Sequence, residues 1–201
     1  MNPIFPIAIT FLVFLSALPS LNAAVLDSDG EIVRNSGGSY YIIPKGSSNG
    51  LSLKQRSGSP SCPLYITRKS NSPGTPVTIF SPFRSLFIPV SAKVKIIFQA
   101  NVTSCTDSLE WRVTSDLSTG KPYVVAGGGG PSVFSYFFSI EQAGNGEMDN
   151  VYKINYCPLN GEDDKNCGDV GFLRRSGLLG INNEKPLLLQ FKNANTGMSE
   201  M

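Results

Sequence analysis

The sequence VTIFSPFRSLFIPVSAKVKIIF occupies residues 77–98 and contains three short apolar or alternating runs separated by prolines and serines. These runs, at residues 77–80, 86–88 and 94–98, have the length of β-strands. They are rich in Val, Ile and Phe, which favour extended backbone. None of them shows the three-to-four spacing of an amphipathic helix. The segment therefore predicts short strands joined by short connections.

The same pattern continues on both sides of this segment. Further runs of strand length lie at residues 40–43, 51–53, 64–67, 109–113, 123–126, 133–140, 151–156, 171–173, 178–181 and 187–191. Turn residues stand between them, including Asn49-Gly50, Pro73-Gly74 and the glycines of residues 127–130. About a dozen short strands in one domain indicate a closed or nearly closed all-β barrel, since an open sheet of that length would expose its edges.

The composition weighs against several classes of function. The chain has no histidine, whereas the usual serine and cysteine hydrolases and most catalytic zinc sites require an imidazole. The net charge is only +2 and the basic residues are scattered, so no nucleic-acid or anionic-membrane surface is indicated. Glu162, Asp163 and Asp164 lack the spacing of a calcium loop and indicate a solvated turn. We expect neither an enzyme, nor a cofactor, nor a metal site.

The N-terminal residues are predicted to be a targeting segment. Residues 4–21 are almost wholly apolar and uncharged, contain Pro6 and Pro19, and lead into small residues. This pattern is typical of a secretory signal peptide over residues 1–23, with cleavage after Ala23 or, nearly as well, after Ala24. A membrane anchor is the alternative, but the stretch is short and no basic flank follows it. Residues 24–201 then form one domain, with a polar, disordered tail at 193–201.

Secretion would place the four cysteines in an oxidising compartment, where an even number indicates two disulfides. Three pairings are possible, and sequence order favours Cys62 with Cys105 and Cys157 with Cys167. A zinc site formed by the four cysteines is disfavoured because no Cys-x-x-Cys pair is present. Asn101 begins the one glycosylation sequon of the chain, which is as compatible with an unmodified asparagine as with a glycosylated one.

The segment from Ser81 to Pro89 is a candidate functional loop. It places Arg84 inside an apolar stretch bracketed by prolines, and Pro82 biases Ser81 toward extended backbone, the conformation that proteases bind in their clefts. An arginine at its centre would suit a pocket with a buried carboxylate. The alternative is an ordinary exposed arginine on a turn, and composition alone favours that alternative.

Several ordered motifs carry a resemblance to a known family. They are VLDSDG at 25–30, GGSYYI at 37–42, CPL at 62–64, SPFR at 81–84, EW at 110–111, YK at 152–153, CP at 157–158, EDDK at 162–165, CGDVG at 167–171 and KPL at 185–187. On these motifs the chain resembles the plant Kunitz-type (soybean trypsin inhibitor) family over residues 25–191. The resemblance implies a β-trefoil of about twelve strands with the two disulfides paired in sequence order.

The same resemblance implies a role for the candidate loop. Arg84 matches the residue before the inhibitory bond and Ser85 the residue after it, and the remaining contact residues are Ser81, Pro82, Phe83, Leu86 and Phe87. Asn35 matches the asparagine that supports the loop from behind, although Ser36 is an extra residue before Gly37-Gly38. The implied protein is a monomeric, secreted or vacuolar inhibitor whose partner is a trypsin-like serine protease.

Two other functions stay open at the level of sequence. One is a family member without protease inhibition, acting as a storage, taste-modifying or carbohydrate-binding protein, because a fold does not fix function. The other is inhibition of subtilisin, a cysteine protease or an α-amylase through a second basic site at Arg174 and Arg175. A pair of arginines at a strand end explains those residues more simply.

Overall fold

The computed structural model describes residues 23–56, 62–100, 108–115, 120–128, 138–144, 150–158, 167–174 and 176–195. These residues form twelve β-strands and no helix. The strands are β1 (Tyr40–Pro44), β2 (Leu51–Lys54), β3 (Leu64–Arg68), β4 (Val77–Phe80), β5 (Lys93–Phe98), β6 (Trp111–Ser115), β7 (Pro122–Ala126), β8 (Phe138–Gln142), β9 (Tyr152–Tyr156), β10 (Gly168–Phe172), β11 (Leu179–Ile181) and β12 (Leu189–Asn193). No described residue belongs to a helix long and apolar enough to cross a membrane.

Six strands close into an antiparallel barrel. The pairings run from β1 to β4, β5, β8, β9 and β12, and β12 pairs with β1 again. Alternate residues of these strands face inward: Val77 and Ile79 of β4 and Val94 and Ile96 of β5 are fully buried, while the residues between them are partly exposed. Closure leaves the barrel without a free edge. A closed barrel is the architecture that the many short strand-length runs of the sequence predicted.

The other six strands form three hairpins that cover one end of the barrel. They are β2–β3, β6–β7 and β10–β11. β3 and β11 both pair with β7, and a bridge from Thr67 to Leu178 joins the first hairpin to the third. Each third of the chain thus supplies two barrel strands and one hairpin, which is the architecture of a β-trefoil. The predicted fold class is confirmed.

One of the predicted runs does not form a strand. Residues 86–88 do not form a strand; only Phe87 makes an isolated bridge, to Arg34. The run lies in the long connection between β4 and β5, residues 81–92, where the backbone turns outward at Leu86 before Ile88 is buried. The apolar residues of this run therefore do not share one strand face, because Leu86 is exposed to solvent and Ile88 is buried in the core.

Several sequence predictions fall outside the described residues. They concern the segment 1–22, Asn101, Cys105, the acidic turn 162–164, Arg175 and residues 196–201 of the tail. Among the cysteines that the structure describes, Cys157 and Cys167 are joined in a disulfide between the end of β9 and the start of β10. Cys62 is also disulfide-bonded, and its predicted partner is Cys105.

Candidate functional site

The connection between β4 and β5 carries the predicted loop on the surface of the barrel. Phe83 is 57% exposed and Leu86 is 90% exposed, and Arg84 between them is also exposed. The two ends are anchored differently, because Ser81 and Ile88 are buried. The loop therefore presents its central residues to solvent while both of its arms are held by the protein body.

Asn35 lies behind the loop and bonds to both arms. Its Nδ2 donates to the carbonyl oxygens of Ser81 at 3.2 Å, Phe83 at 3.1 Å and Ser85 at 3.0 Å. Its Oδ1 accepts the Ser81 N–H at 2.9 Å, and its own backbone N–H donates to the Leu86 carbonyl at 3.0 Å. One residue thus holds backbone groups on both sides of the Arg84–Ser85 peptide bond.

Local hydrogen bonds within the loop add to this support. The Phe83 N–H donates to Ser81 Oγ at 3.4 Å, and the Phe87 N–H donates to Ser85 Oγ at 3.2 Å. The Ser85 N–H donates to the Phe83 carbonyl at 2.8 Å, which closes a tight turn around Arg84. Each of the two serines therefore bonds to the backbone two residues further on, a turn that its short hydroxyl side chain favours.

The segment that carries Asn35 is fixed by a closed set of three backbone hydrogen bonds. The Val25 N–H donates to the Ile88 carbonyl, the Ile88 N–H to the Val33 carbonyl, and the Val33 N–H to the Val25 carbonyl, at 2.8, 3.0 and 2.9 Å. All three residues are fully buried. The N-terminal segment, the segment before Asn35 and the outgoing arm of the loop are thus hydrogen-bonded to one another in the core.

Ser36, the extra residue before the glycine pair, is accommodated without displacing Asn35. Its φ is 65°, and its N–H donates to the Ile79 carbonyl on β4 at 3.0 Å. The Ser36 hydroxyl donates a hydrogen bond to Asn35 Oδ1 at 3.2 Å. On the other side of Asn35, the Arg34 N–H donates to the buried Tyr40 hydroxyl at 2.9 Å, and a side chain on Gly38 would clash with that ring.

The site carries positive charge. The Arg84 guanidinium makes no hydrogen bond or ion pair within the part of the chain that the structure describes. The same is true of Arg34, which is exposed on the neighbouring segment. The loop can therefore offer a long cation, with its backbone already ordered, to a pocket that contains a carboxylate.

A buried tyrosine ties the N-terminal segment to the barrel. The Tyr152 hydroxyl, on β9, accepts the Leu26 N–H at 2.8 Å. Burial and, to a smaller extent, the nearby Asp27 carboxylate raise the pKa of Tyr152, although the bond from Leu26 acts against this rise. Burial also raises the pKa of Tyr156 at the other end of β9. The neutral tyrosine is thus the form that the fold favours.

The sequence singled out the loop and Asn35 but missed their surroundings. It did not identify Tyr40 as a support of Arg34, Ile32 and Arg34 as neighbours of the loop, or the meeting of Val25, Val33 and Ile88. The alternation of Ile32, Val33 and Arg34 was the available signal, since a buried residue between two exposed ones indicates a short strand. The segment that pairs with residues 32–34 can be found only from the pairing register between distant parts of the chain, which has no local pattern in the sequence.

The fold and the site define a β-trefoil with one ordered, arginine-bearing loop braced from behind. Comparison with family descriptions matches residues 25–193 to the legume Kunitz family of trypsin and protease inhibitors. The chain belongs to this family. The curated relatives described next are trypsin inhibitors, and the chain is a protein of the protease-inhibitor type rather than an enzyme.

Individual relatives agree with this assignment. The chain is 36% identical over 178 residues to trypsin inhibitor BvTI of Bauhinia variegata, covering 85% of this chain and 96% of that protein. It is 35% identical over 174 residues to trypsin inhibitor 1A of Psophocarpus tetragonolobus, covering 84% and 96%. The soybean trypsin inhibitor solved with 1,5-disulfonyl naphthalene superposes with a TM-score of 0.70 at 29% identity, covering 85% of this chain and 99% of that one. The soybean inhibitor solved in complex with porcine pancreatic trypsin gives 0.67 at 29% identity, with coverage of 85% and 99%.

Proposed function

We propose that this protein inhibits trypsin-like serine proteases by presenting the Arg84–Ser85 peptide bond as a substrate that is cut and released very slowly. The observation that carries the proposal is the set of Asn35 hydrogen bonds to Ser81, Phe83 and Ser85. Membership of the inhibitor family and the trypsin complex of the soybean relative support it further.

Arg84 would enter the primary specificity pocket of the protease. A planar guanidinium forms charge-assisted, paired hydrogen bonds with a carboxylate at the base of such a pocket. Arg84 is exposed and makes no competing bond among the described residues, so binding does not first require an ion pair to be broken. Phe83 and Leu86 would contact the cleft on either side of it.

Inhibition rather than digestion would follow from the brace. When a protease cuts an ordinary peptide, the new amine diffuses away and water attacks the acyl-enzyme. Asn35 bonds to the Phe83 carbonyl before the bond and to the Ser85 and Leu86 carbonyls after it. The amine of Ser85 would therefore stay beside the acyl group, and resealing would outrun hydrolysis. Because the loop is ordered beforehand, docking also loses little conformational entropy.

The cellular context is proposed from the sequence. Residues 1–23 act as a secretory signal, residues 24–201 are the mature domain, and the protein works as a monomer outside the cell or in the vacuole. The disulfide between Cys157 and Cys167 is consistent with folding in an oxidising compartment. On this route the sequon at Asn101 would meet the glycosylation machinery, which leaves both a glycosylated and an unmodified asparagine open.

The test is a titration of active-site-counted trypsin with oxidised protein of residues 24–201. We expect one-to-one inhibition by the parent protein and a loss of at least about a thousandfold in affinity for Arg84→Ala, because the pocket carboxylate is left unpaired in a buried site. Arg84→Lys should retain most of the inhibition, since a cation still reaches the pocket. Arg174→Ala, at another exposed arginine on the β10–β11 hairpin, which lies 4.0 Å from Glu184, is the control and should behave like the parent.

Two results would count against the proposal. Full trypsin activity in the presence of micromolar parent protein would rule out the proposal that this loop inhibits trypsin-like proteases. Undiminished inhibition by Arg84→Ala would show that another surface binds the enzyme, and the same assay with subtilisin, papain and α-amylase would then identify the target class.

A further inference from the structure

The exposed apolar side chains are concentrated around the loop. Among the described residues, the large apolar side chains that are exposed are Ile32 at 51%, Phe83 at 57% and Leu86 at 90%. Phe83 and Leu86 belong to the loop, but Ile32 lies on the preceding segment of the chain. Exposed apolar surface gathered in one region, rather than scattered singly, is typical of a binding surface.

Ile32 and Arg34 lie beside the outgoing arm of the loop. The Arg34 backbone bridges Phe87, and the Val33 carbonyl accepts the Ile88 N–H at 3.0 Å. Since Val33 is fully buried, its two neighbours along an extended chain project to the opposite side. Ile32 and Arg34 therefore face outward beside the half-buried Phe87, and we call the surface formed by Ile32 and Arg34 the 32–34 ledge.

The ledge is rigid and cationic. Its backbone is held by the three bonds among Val25, Val33 and Ile88 and by the bond from the Arg34 N–H to the Tyr40 hydroxyl. The Arg34 side chain has no ion-pair partner within the described residues. Glu31 is the nearest acid along the chain, and it is exposed at the turn that precedes the ledge. A partner that approaches the ledge thus meets a fixed apolar patch with one available cation.

We infer that the 32–34 ledge is a second contact surface for the protease that binds the loop, on the side after the cleaved bond. This inference rests on the proposed function of Arg84. A stable protease–inhibitor contact buries about 800 Å² on each partner, with roughly 20–30 residues a side. The loop residues 81–87 are too few to supply that area. The ledge is the segment hydrogen-bonded to the outgoing arm, so an enzyme seated on Ser85 and Leu86 reaches it next.

The chemistry of the ledge specifies the partner. The protease has an apolar surface facing Ile32 and at least one carboxylate within reach of Arg34, adjacent to its subsite for Leu86. Trypsin-like enzymes that share the arginine pocket but differ in this neighbouring surface would be distinguished by the ledge. Arg84 would therefore select trypsin-like enzymes as a class. Ile32 and Arg34 would determine which members of that class are inhibited.

The experiment measures association and dissociation rates with porcine pancreatic trypsin, at low and high ionic strength, for the parent protein and four variants. Arg34→Glu is expected to slow association about tenfold at low ionic strength, with the difference shrinking in salt, because a steering attraction becomes a repulsion. Ile32→Ser is expected to raise the dissociation rate about fivefold, since contact area is lost without a change of charge. Arg174→Glu, a charge reversal at an exposed arginine on the β10–β11 hairpin, is the control and should change each rate less than twofold. Arg84→Ala reports on the loop itself.

The outcomes separate the two proposals. If Arg84→Ala abolishes binding while Arg34→Glu and Ile32→Ser both stay within twofold of the parent, the loop mechanism stands and the ledge is overturned. Faster association of Arg34→Glu also overturns the ledge, since the facing surface would then be basic. If the parent protein does not bind trypsin, both proposals are overturned. Unchanged melting temperatures of the two ledge variants establish that any loss arises at the surface rather than from unfolding.

Discussion

Asn35 places one carboxamide among four backbone groups of the loop. Its two Nδ2 hydrogens are shared by the Ser81, Phe83 and Ser85 carbonyls, and its Oδ1 accepts the Ser81 N–H. No other side chain of similar size offers two donors and an acceptor in this arrangement. Aspartate keeps the acceptor but offers no donor, and leucine offers neither.

Removing this carboxamide should convert the inhibitor toward a substrate. We expect Asn35→Ala to weaken trypsin inhibition about ten- to a hundredfold and to speed hydrolysis of the Arg84–Ser85 bond, because the two arms lose their common support and regain conformational freedom. Asn35→Asp should behave similarly. The inhibition constant and the rate of appearance of the cut chain, followed by mass spectrometry, measure the two effects.

The control for this substitution is Asn49→Ala. Asn49 braces a different turn, through the Asn71 N–H at 2.7 Å, so it tests whether losing any turn-supporting asparagine has the same result. Slow hydrolysis and tight inhibition by Asn35→Ala would mean that the buried ends of the loop, at Ser81 and Ile88, are sufficient to hold it.

Some residues of the site could be predicted from their local sequence, and others could not. Pro82, Arg84 and Pro89 indicated a displayed loop on their own, because proline restricts the backbone locally. Asn35 was assigned through the resemblance, since a contact across 46 positions of sequence, such as that from Asn35 to Ser81, leaves no local pattern. The ledge was missed for the same reason, as its partner Phe87 is equally remote along the chain.

At the scale of elements, strand β9 holds the segment that precedes Asn35. Tyr152 begins this strand, its ring packs against Phe191 of β12 with centroids 5.9 Å apart, and its hydroxyl accepts the Leu26 N–H. The N-terminal segment is therefore attached to the last third of the barrel, although the loop that it supports joins the first third to the second.

The raised pKa values of Tyr152 and Tyr156 predict a loss of stability at high pH. A tyrosine whose pKa is higher in the folded state contributes fully below its unfolded value of about 10 and loses that contribution as the pH rises above it. We expect the free energy of unfolding, measured by urea denaturation, to fall from about pH 10 upward. Tyr152→Phe should make this fall shallower, leaving the part due to Tyr156.

The same variant should be less stable at neutral pH, by about 1–3 kcal/mol, because the Leu26 N–H loses its acceptor. Tyr41→Phe, which removes a β1 hydroxyl that bonds to no described residue, is the control for both effects. An unchanged pH profile in Tyr152→Phe would assign the alkaline loss to other groups.

The strand pattern was predictable and the strand partners were not. Val77–Phe80 is a strand with the bounds that its apolar residues indicate, because alternation is a local property. Residues 86–88 have the same composition but only one bridge, because Leu86 lies on the displayed part of the loop. Whether an apolar run is buried depends on what faces it, and that depends on the register between distant strands.

At the scale of the whole molecule, the three-part architecture separates the loop that carries Arg84 from the disulfide between Cys157 and Cys167. The loop connects β4 and β5, whereas Cys157 and Cys167 connect β9 to β10 in the last third. The three thirds share a backbone plan without sharing residues, which explains why no internal repeat is visible in the sequence.

This separation predicts that stability and inhibition respond differently to loss of the Cys157–Cys167 disulfide. Replacing both cysteines by serine should lower the free energy of unfolding by about 3 kcal/mol, the loop-entropy value for a ring of this size. Trypsin inhibition at 25 °C should stay within about twofold of the parent, since the contacts of Asn35 come from residues 81–86 and not from the disulfide-bonded segment.

The contrasting variant breaks the disulfide of Cys62, whose predicted ring with Cys105 encloses the whole loop. Replacing these two cysteines by serine should reduce both stability and inhibition, because the arms of the loop then lie in a chain that is no longer closed. Urea denaturation and trypsin titration of both double variants measure the difference. Equal loss of inhibition in two variants that circular dichroism shows to be folded would mean that loop geometry depends on the barrel as a whole, and the local brace at Asn35 would not be sufficient to explain inhibition.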